Sequence, residues 1–473
     1  MANFLKIIAF INVFLLIFMS IYEIKNFKRF LKWAFLIILF PIVGFIIYVL
    51  FGNNLKFYSK KVLQDKQKST KNYISQTTWY KNYKSENKNS FNNIASFVKN
   101  NFCCDLWHNN SIKTFFNGND FLKDLLFEIR NAKSSINIEF YIFADDSTGQ
   151  IVADELIKKA RQGVKIKFVC DAFGSKKTKK TFWRNLTDAG IDVVEFFPNF
   201  LKLPLINFKI NYRNHRKIVV IDGKISYTGG VNLRDDHMSK DKYLSPWRDT
   251  VIKIVGPATY PLQDIFFNDY TFVSKENLNR DEINIMFPQI EYSGDIDLQI
   301  LESGPDKQPL IYKSFLQIIE KCNKTIYIET PYFVTNKEMQ TVLKNALKKG
   351  VSLTIIIPKR ADNKLVYGTT LNCLKKMFNM GAKIYLYSNF IHSKVLLCDN
   401  VLSIGTCNFD NRSFFLNFED TCFCYDKSVI KKHLLQIEKD IKNSELLSKH
   451  KFNNLCNKYF FFTLFYKIFA RFL

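Results

Sequence analysis

The chain has 473 residues, is 47% hydrophobic and carries a formal charge of +25. That length admits two or three domains with packed cores and excludes disorder as the default. The basic surplus would draw nucleic acid or an anionic membrane surface. It is spread along the whole chain, however, and a codon bias toward Lys, Asn, Ile and Phe accounts for it equally. None of the ten cysteines has paired zinc spacing, so free thiols in a reducing compartment are expected.

Phe4 to Tyr22 is almost unbroken apolar sequence and Trp33 to Phe51 is a second such run, each close to the roughly 20 residues that a bilayer-spanning helix needs. No small-residue cleavage site follows the first run, and neither has a polar face, so a two-helix transmembrane hairpin is expected over residues 1–51. Lys25, Lys28, Arg29 and Lys32 lie between the spans, against Lys6, Lys56, Lys60, Lys61, Lys66, Lys68 and Lys71 outside them. That bias puts the main body on the cytoplasmic side of a multi-pass cell-membrane protein. Residues 52–101 turn polar and basic. They read as a juxtamembrane linker, either held to anionic headgroups by its lysines or simply solvated.

Beyond the linker, Ser134 to Phe143 reads as a buried strand, the helical pattern GQIVADELIKKARQ follows, and GVKIKFVCD reads as another strand. In the second half KTIYIETPYF, NKEMQTVLKNALKK and GVSLTIIIP repeat the plan, with Glu139 matching Glu329 and Gly163 matching Gly350. The chain is therefore read as an α/β tandem duplication, with one copy over residues 102–285 and the other over 286–450. Two apolar stretches stand apart. Phe196 to Phe208 either dips into the bilayer or lies hidden in the core. Residues 451–473 read as an amphipathic aromatic C-terminal helix, with Phe461, Phe465, Ile468 and Phe472 at helical spacing, which either rests at a membrane interface or docks on the protein.

The two copies share one further pattern, His-x-Lys-x4-Asp, in RNHRKIVVID and again in IHSKVLLCD. It supplies the candidate catalytic set His215, Lys217, Asp222, His392, Lys394 and Asp399. Side chains alternate along a strand, so His215 and Lys217 share a face, as do His392 and Lys394, roughly 7 Å apart at the base. Asp222 and Asp399 fall at odd offsets, where a carboxylate braces backbone rather than meeting substrate. Asn232 and Asn408 follow in Gly-Gly-Val-Asn and Gly-Thr-Cys-Asn as candidate phosphate donors. Two halves facing each other about a pseudo-twofold axis would gather these groups into one phosphodiester site. The lysines neutralise phosphate oxygens without a metal, one imidazole attacks phosphorus and the other protonates the leaving alkoxide. No cofactor is expected.

These residues resemble the phospholipase D superfamily, whose signature is the duplicated motif. The stretches WAFLIILFPIVGFIIYVLFGNN, SPWRDTVIKIVGPA, ESGPD, IETPYFV and GTCNFDNRSFFLNFE are similar to its bacterial cardiolipin synthase branch. The resemblance implies tandem phospholipase D-like α/β/α sandwich halves with central mixed sheets behind the hairpin. It implies phosphatidyl transfer between two phosphatidylglycerol molecules through a phosphatidyl-histidine, with anionic membrane lipids as partners; a nuclease would use the same histidines on nucleic acid, but the hairpin argues against it, since DNA gives no reason to hold the site at a bilayer. The resemblance further implies that a carboxylate of each half orients the histidine of the other. Asp249, in Trp-Arg-Asp, and Glu419, in Asn-Phe-Glu, hold those positions, with His215 as nucleophile and His392 as acid. A hydrolase or a phosphatidylserine synthase of the same superfamily is the alternative.

Overall fold

A computed structural model of the protein describes residues 10, 12–17, 19–20, 27–51, 93–102, 104–197, 212–274, 276, 279–290 and 293–460. In the first half the chain forms β1 (Trp107–Phe115), β2 (Ser135–Phe140), β3 (Lys165–Asp171), β4 (Asp192–Phe196), β5 (Arg213–Asn214), β6 (Lys217–Ile221), β7 (Ile225–Gly229), β8 (Trp247–Arg248) and β9 (Val251–Val255). The second half follows with β10 (Ile296–Ser303), β11 (Thr325–Glu329), β12 (Phe333–Val334), β13 (Ser352–Pro358), β14 (Lys383–Tyr387), β15 (Phe390–Ile391), β16 (Val395–Cys398), β17 (Val401–Gly405), β18 (Phe409–Asp410), β19 (Asn417–Cys424) and β20 (Ser444–Leu446).

Across the sheet the first half runs β1-β9-β7-β6-β2-β3-β4, and the second runs β10-β19-β17-β16-β11-β13-β14 with β20 added at its edge. The two orders correspond strand for strand, which is the structural form of the repeat seen in the sequence. The halves do not keep separate sheets. β1 pairs antiparallel with β10, setting Trp107 opposite Leu298, so one mixed sheet runs through both lobes.

Local chemistry explains the repeated β-α-β starts. The helix Ser147–Arg161 begins where the Asp146 side chain accepts from Gly149 N, and it buries Val152, Ala153 and Leu156. Its counterpart Lys337–Lys348 begins where Asn336 accepts from Met339 N, and it buries Met339, Leu343 and Ala346. A side-chain oxygen at such a start satisfies an amide that the helix leaves unbonded. Each helix returns the chain parallel to its first strand, β2 to β3 and β11 to β13. On this face each half has its own core, around Phe143, Leu156 and Phe168 in the first and Ile319, Leu343 and Ile355 in the second. The other face carries one core common to both halves. Phe266, Phe267 and Tyr270 of the helix Thr259–Ser274 and Ile437 of the helix Lys427–Lys442 meet apolar side chains of both halves of the sheet there, Val220 and Leu397 among them.

Three stretches need comment against the sequence reading. Of the first apolar run, residues 4–9, 11, 18 and 21–22 lie outside the described residues. The second run is divided into helices Phe27–Leu39 and Pro41–Phe51, because Pro41 has no amide hydrogen to continue the ladder. Among the described residues no helix is long and apolar enough to cross a membrane. Within the stretch read as linker, residues 52–92 lie outside the description. Asn93–Phe102 is a helix whose Val98 and Phe102 join the second half's core, and Gln299 Nε2 donates to Ala95 O at 3.2 Å. Phe196 and Phe197 are buried, while residues 198–211 lie outside the description. The described start of the C-terminal segment docks on the protein: in the helix Lys449–Lys458, Phe452 is buried against Phe378. Phe461, Phe465, Ile468 and Phe472 fall outside it.

Candidate active site

Two short parallel ladders cross between the halves and set the site. β5 pairs with β19, placing Asn214 opposite Phe418, and His215 N then donates to Phe418 O at 3.0 Å. β15 pairs with β8, placing Ile391 opposite Arg248, and His392 N donates to Arg248 O at 2.7 Å. In each ladder the histidine of one half is thus tied to the residue just before the other half's carboxylate. Backbone register alone brings His215 to Glu419 and His392 to Asp249.

The side chains complete that pairing. His215 Nδ1 lies 3.0 Å from the Glu419 carboxylate and His392 Nδ1 lies 2.7 Å from Asp249 Oδ2. A carboxylate there accepts the Nδ1 hydrogen, which leaves the Nε2 lone pair for chemistry. Burial brings His215 down to about 4, against the pull of Glu419. Burial, with Lys394, Lys217 and His215 beside it, holds His392 well below the ordinary histidine range. With Nδ1 held in this way, a neutral ring offers its Nε2 lone pair as a nucleophile and a protonated ring offers its Nε2 hydrogen as an acid. Burial opposes the ionised form of Glu419, but His215 and Lys217 outweigh it and hold the carboxyl below its usual value.

Lys217 and Lys394 lie behind the histidines. Lys217 Nζ donates to His215 O at 2.6 Å, and Lys394 donates to His392 O with its ammonium 2.7 Å from His392 Nδ1. Burial pulls Lys217 down to about 7 and Lys394 to about 8. Asp222 and Asp399 lie at the far ends of their strands, seven residues from the histidines and roughly 20 Å along an extended chain. The Asp222 carboxylate accepts from the amides of Lys133, Ser134 and Ser135, and that of Asp399 from the amides of Asn323, Lys324 and Thr325. Both residues have left-handed backbones, φ 52° and 48°, and each ties the turn after its strand to the start of the neighbouring strand. They are not brought to the histidines.

The histidines open on a cavity of about 650 Å³ that Asn232 and Asn408 also line. Asn232 Oδ1 accepts from Ile142 N at 3.2 Å, whereas Asn408 Oδ1 is buried with no hydrogen-bond partner. Sequence reasoning passed over several wall residues: Tyr141, Arg213 and Arg412 near His215, and His237 and Trp247 near His392. His237 had a signal, being one of only six histidines and five residues past Asn232. Tyr141 and Arg412 had none, because their relation to the site is made by the fold.

His237, Asp249 and His392 each bring one possible metal-ligand atom within 4.8 Å of one another. The Lys394 ammonium stands against His392 Nδ1 and opposes a cation there. The donor set suits an anion better. Two buried arginines lock the frame around it. Arg216 reaches Asp269 of its own half and Glu302 of the other, while Arg248 reaches Glu329 and Asp440 across the seam.

The family model "Cardiolipin synthase, PLD-like domain" matches residues 125–244 and 315–441. The cardiolipin synthase of Listeria welshimeri is 35% identical over 443 residues, 91% of each chain. That of Clostridium perfringens strain 13 is 37% identical over 424 residues, 87% of each chain. The solved phosphatidylserine synthase of Haemophilus influenzae superposes with a TM-score of 0.60 at 16% identity, covering 80% of this chain and 98% of that one. That last likeness is one of fold.

Proposed function

Because the chain belongs to the cardiolipin synthase family of phospholipase D-like enzymes, we propose that its crossed histidine–carboxylate pairs transfer a phosphatidyl group between two phosphatidylglycerols, giving cardiolipin and glycerol. The observation that carries the residue assignment is the crossing itself: each imidazole is held through Nδ1 by the opposite half, with both histidines on one cavity. In the first step His215 Nε2 attacks phosphorus. The bond to the headgroup glycerol breaks, and His392, protonated on Nε2 once the anionic phosphate is bound beside it, hands that proton to the departing oxygen. In the second step a primary hydroxyl of another phosphatidylglycerol attacks the phosphatidyl-histidine, its proton passes to His392, and the P–N bond breaks to regenerate His215.

Arriving phosphate restores charge to the two lysines that burial has weakened, and Asn232 and Asn408 donate to its oxygens. The two donor sets stabilise the charge gathered on phosphorus without solvent reorganisation. One phosphodiester is exchanged for another of like kind, so no nucleotide is required.

The N-terminal segment is proposed as the membrane anchor, with the main body cytoplasmic. In its support, Phe10, Phe14, Ile17, Phe35, Ile38 and Ile42 are exposed around a small core of Met19, Ala34, Ile37 and Tyr48, an outward apolar surface suited to hydrocarbon rather than water. Removing residues 1–51 should release the protein from membranes or leave only salt-sensitive attachment.

The decisive experiment supplies purified protein with phosphatidylglycerol and no CTP or CDP-diacylglycerol. Cardiolipin and free glycerol are expected, and excess labelled glycerol should return label to phosphatidylglycerol. A strict need for CDP-diacylglycerol with release of CMP would make it a synthase of the phosphatidylserine type. Phosphatidic acid as sole product would make it a hydrolase.

A further inference from the structure

His237 is fully buried, lines the cavity, and has no part in the chemistry described above. Its ring lies against Trp247 at 4.1 Å between centroids, tilted by 38°, and stands perpendicular to His392 at 5.2 Å. Asn232 N donates to Nδ1 at 3.2 Å, which assigns the ring's lone pair to Nδ1 and its hydrogen to Nε2. Nε2 in turn faces Asn232 Nδ2 at 3.3 Å. That amide cannot turn its oxygen toward the ring, because Oδ1 already accepts from Ile142 N. An N–H therefore meets an NH2, donor against donor, in a buried place that opens on the cavity. The alternative tautomer does no better, since Nδ1–H would then point at the Asn232 amide, with the Asp249 carboxylate 3.9 Å away. Protonation does not resolve the mismatch either: burial, with His392 next, holds His237 well below the ordinary histidine range. An acceptor oxygen presented from the cavity would satisfy this nitrogen.

From this geometry we infer that His237 Nε2 donates to the secondary hydroxyl of the headgroup glycerol, and so makes the site selective for alcohols bearing a hydroxyl beside the reacting one. The inference rests on the proposed transfer and sharpens its substrate class. His392 serves the oxygen that leaves in the first step and attacks in the second, and in both steps that oxygen belongs to a glycerol unit. The neighbouring carbon carries the secondary hydroxyl, so imidazoles 5.2 Å apart meet adjacent oxygens of one diol. Asp236, which accepts from His237 N at 3.0 Å and lines the same wall, lies beside it to receive a hydroxyl hydrogen. A donor left unpaired in a buried site penalises an alcohol that cannot reach it.

The test compares two acceptors for the phosphatidyl group on phosphatidylglycerol vesicles: labelled glycerol, and 1,3-propanediol, which lacks the secondary hydroxyl. The full-length protein should favour glycerol at least tenfold in kcat/KM. His237→Phe keeps an aromatic ring against Trp247 and loses the donor, and it should reduce that preference to within about twofold. His237→Gln returns an amide N–H near the same place and should recover part of it. Equal loss toward both acceptors would reduce His237 to a prop for Asp249 and overturn the inference, as would a preference unchanged in His237→Phe. Cardiolipin formation by the unaltered protein is measured alongside. Its absence, with selective glycerol exchange intact, would overturn the reading of the function and leave the diol selectivity standing.

Discussion

The two halves hold their histidines by the same backbone device and surround them differently. In the first half Gly230 stands where the second has Thr406. A Cβ on Gly230 would lie 1.9 Å from Asp249 Oδ1, so only glycine admits that short carboxylate. Thr406 instead uses its hydroxyl, which accepts from Asp420 N at 3.0 Å beside the longer arm of Glu419. Around His392 the wall is aromatic, made by Trp247, His237 and Phe390. Around His215 it is Tyr141 with Arg213 and Arg412. Burial pushes the Tyr141 hydroxyl up to about 12, so it remains a donor. The lesson is that a duplicated frame fixes where the imidazoles stand, while their unlike surroundings are what would let one attack and the other supply the proton, as proposed above.

The largest effect should come from the histidines. His215→Ala and His392→Ala should each lower turnover by about 10⁴-fold, since nucleophile and acid act as a unit. A nitrophenyl phosphatidyl donor, whose leaving group needs no proton, separates them. His392→Ala should still release a burst of nitrophenol and His215→Ala none, and the opposite pattern would exchange the roles of the halves. Next, Asp249→Asn and Glu419→Gln should each lower kcat by about 10²- to 10⁴-fold with folding intact by circular dichroism, by analogy with loss of an imidazole's orienting carboxylate. If neither rate moved, the crossed pairs would be ornamental.

The unequal dressing predicts unequal sensitivity. Gly230→Ala displaces Asp249 and should cost about 10²-fold in kcat, the order expected when a reacting group shifts by about an ångström. Thr406→Ala removes one hydroxyl partner and should cost about tenfold or less, near the value of a single hydrogen bond. Equal losses would erase the distinction drawn between the halves. On pH, both buried lysines have depressed values, about 7 and about 8. They lose charge as pH rises through that window, so affinity for an anionic headgroup is greatest below it. KM should rise above pH 8, approaching about tenfold per unit for each lysine that must regain a proton.

The smallest effect on activity should come from the aspartates of the motif. Asp222→Asn and Asp399→Asn should leave kcat within about twofold while lowering stability by about 1–3 kcal/mol in urea titration, as backbone amides lose a charged acceptor. A larger loss of turnover than of stability would bring them back to the chemistry.

The repeat was readable because both copies keep the same order of apolar strands and amphipathic helices, and because His-x-Lys falls on a period-two strand. Strand alternation also separated Asp222 and Asp399 from their histidines. The fusion of two sheets through β1 and β10 was not readable, since nothing in Trp107–Phe115 says which edge it will meet. The ladders β5–β19 and β8–β15 are only two residues long in each strand, too short to leave a pattern. His237 lies on the short helical turn Asp235–Met238, Arg412 on the one-turn helix Asn411–Phe415 and Tyr141 just past β2, and the positions of these pieces depend on contacts far away in sequence, so their residue types alone do not place them.

The crossed ladders also bear on ancestry. One half, taken alone, has a histidine without its carboxylate and a carboxylate without its histidine. Two identical copies meeting edge to edge through their first strands would supply each other's missing partner twice over, around a single shared cavity. Such an ancestor would have had one site for every two chains, with both imidazoles in identical surroundings and either able to attack. Fusing such copies would add no second site. It would free the two environments to drift apart, and so let a symmetric reaction acquire a direction.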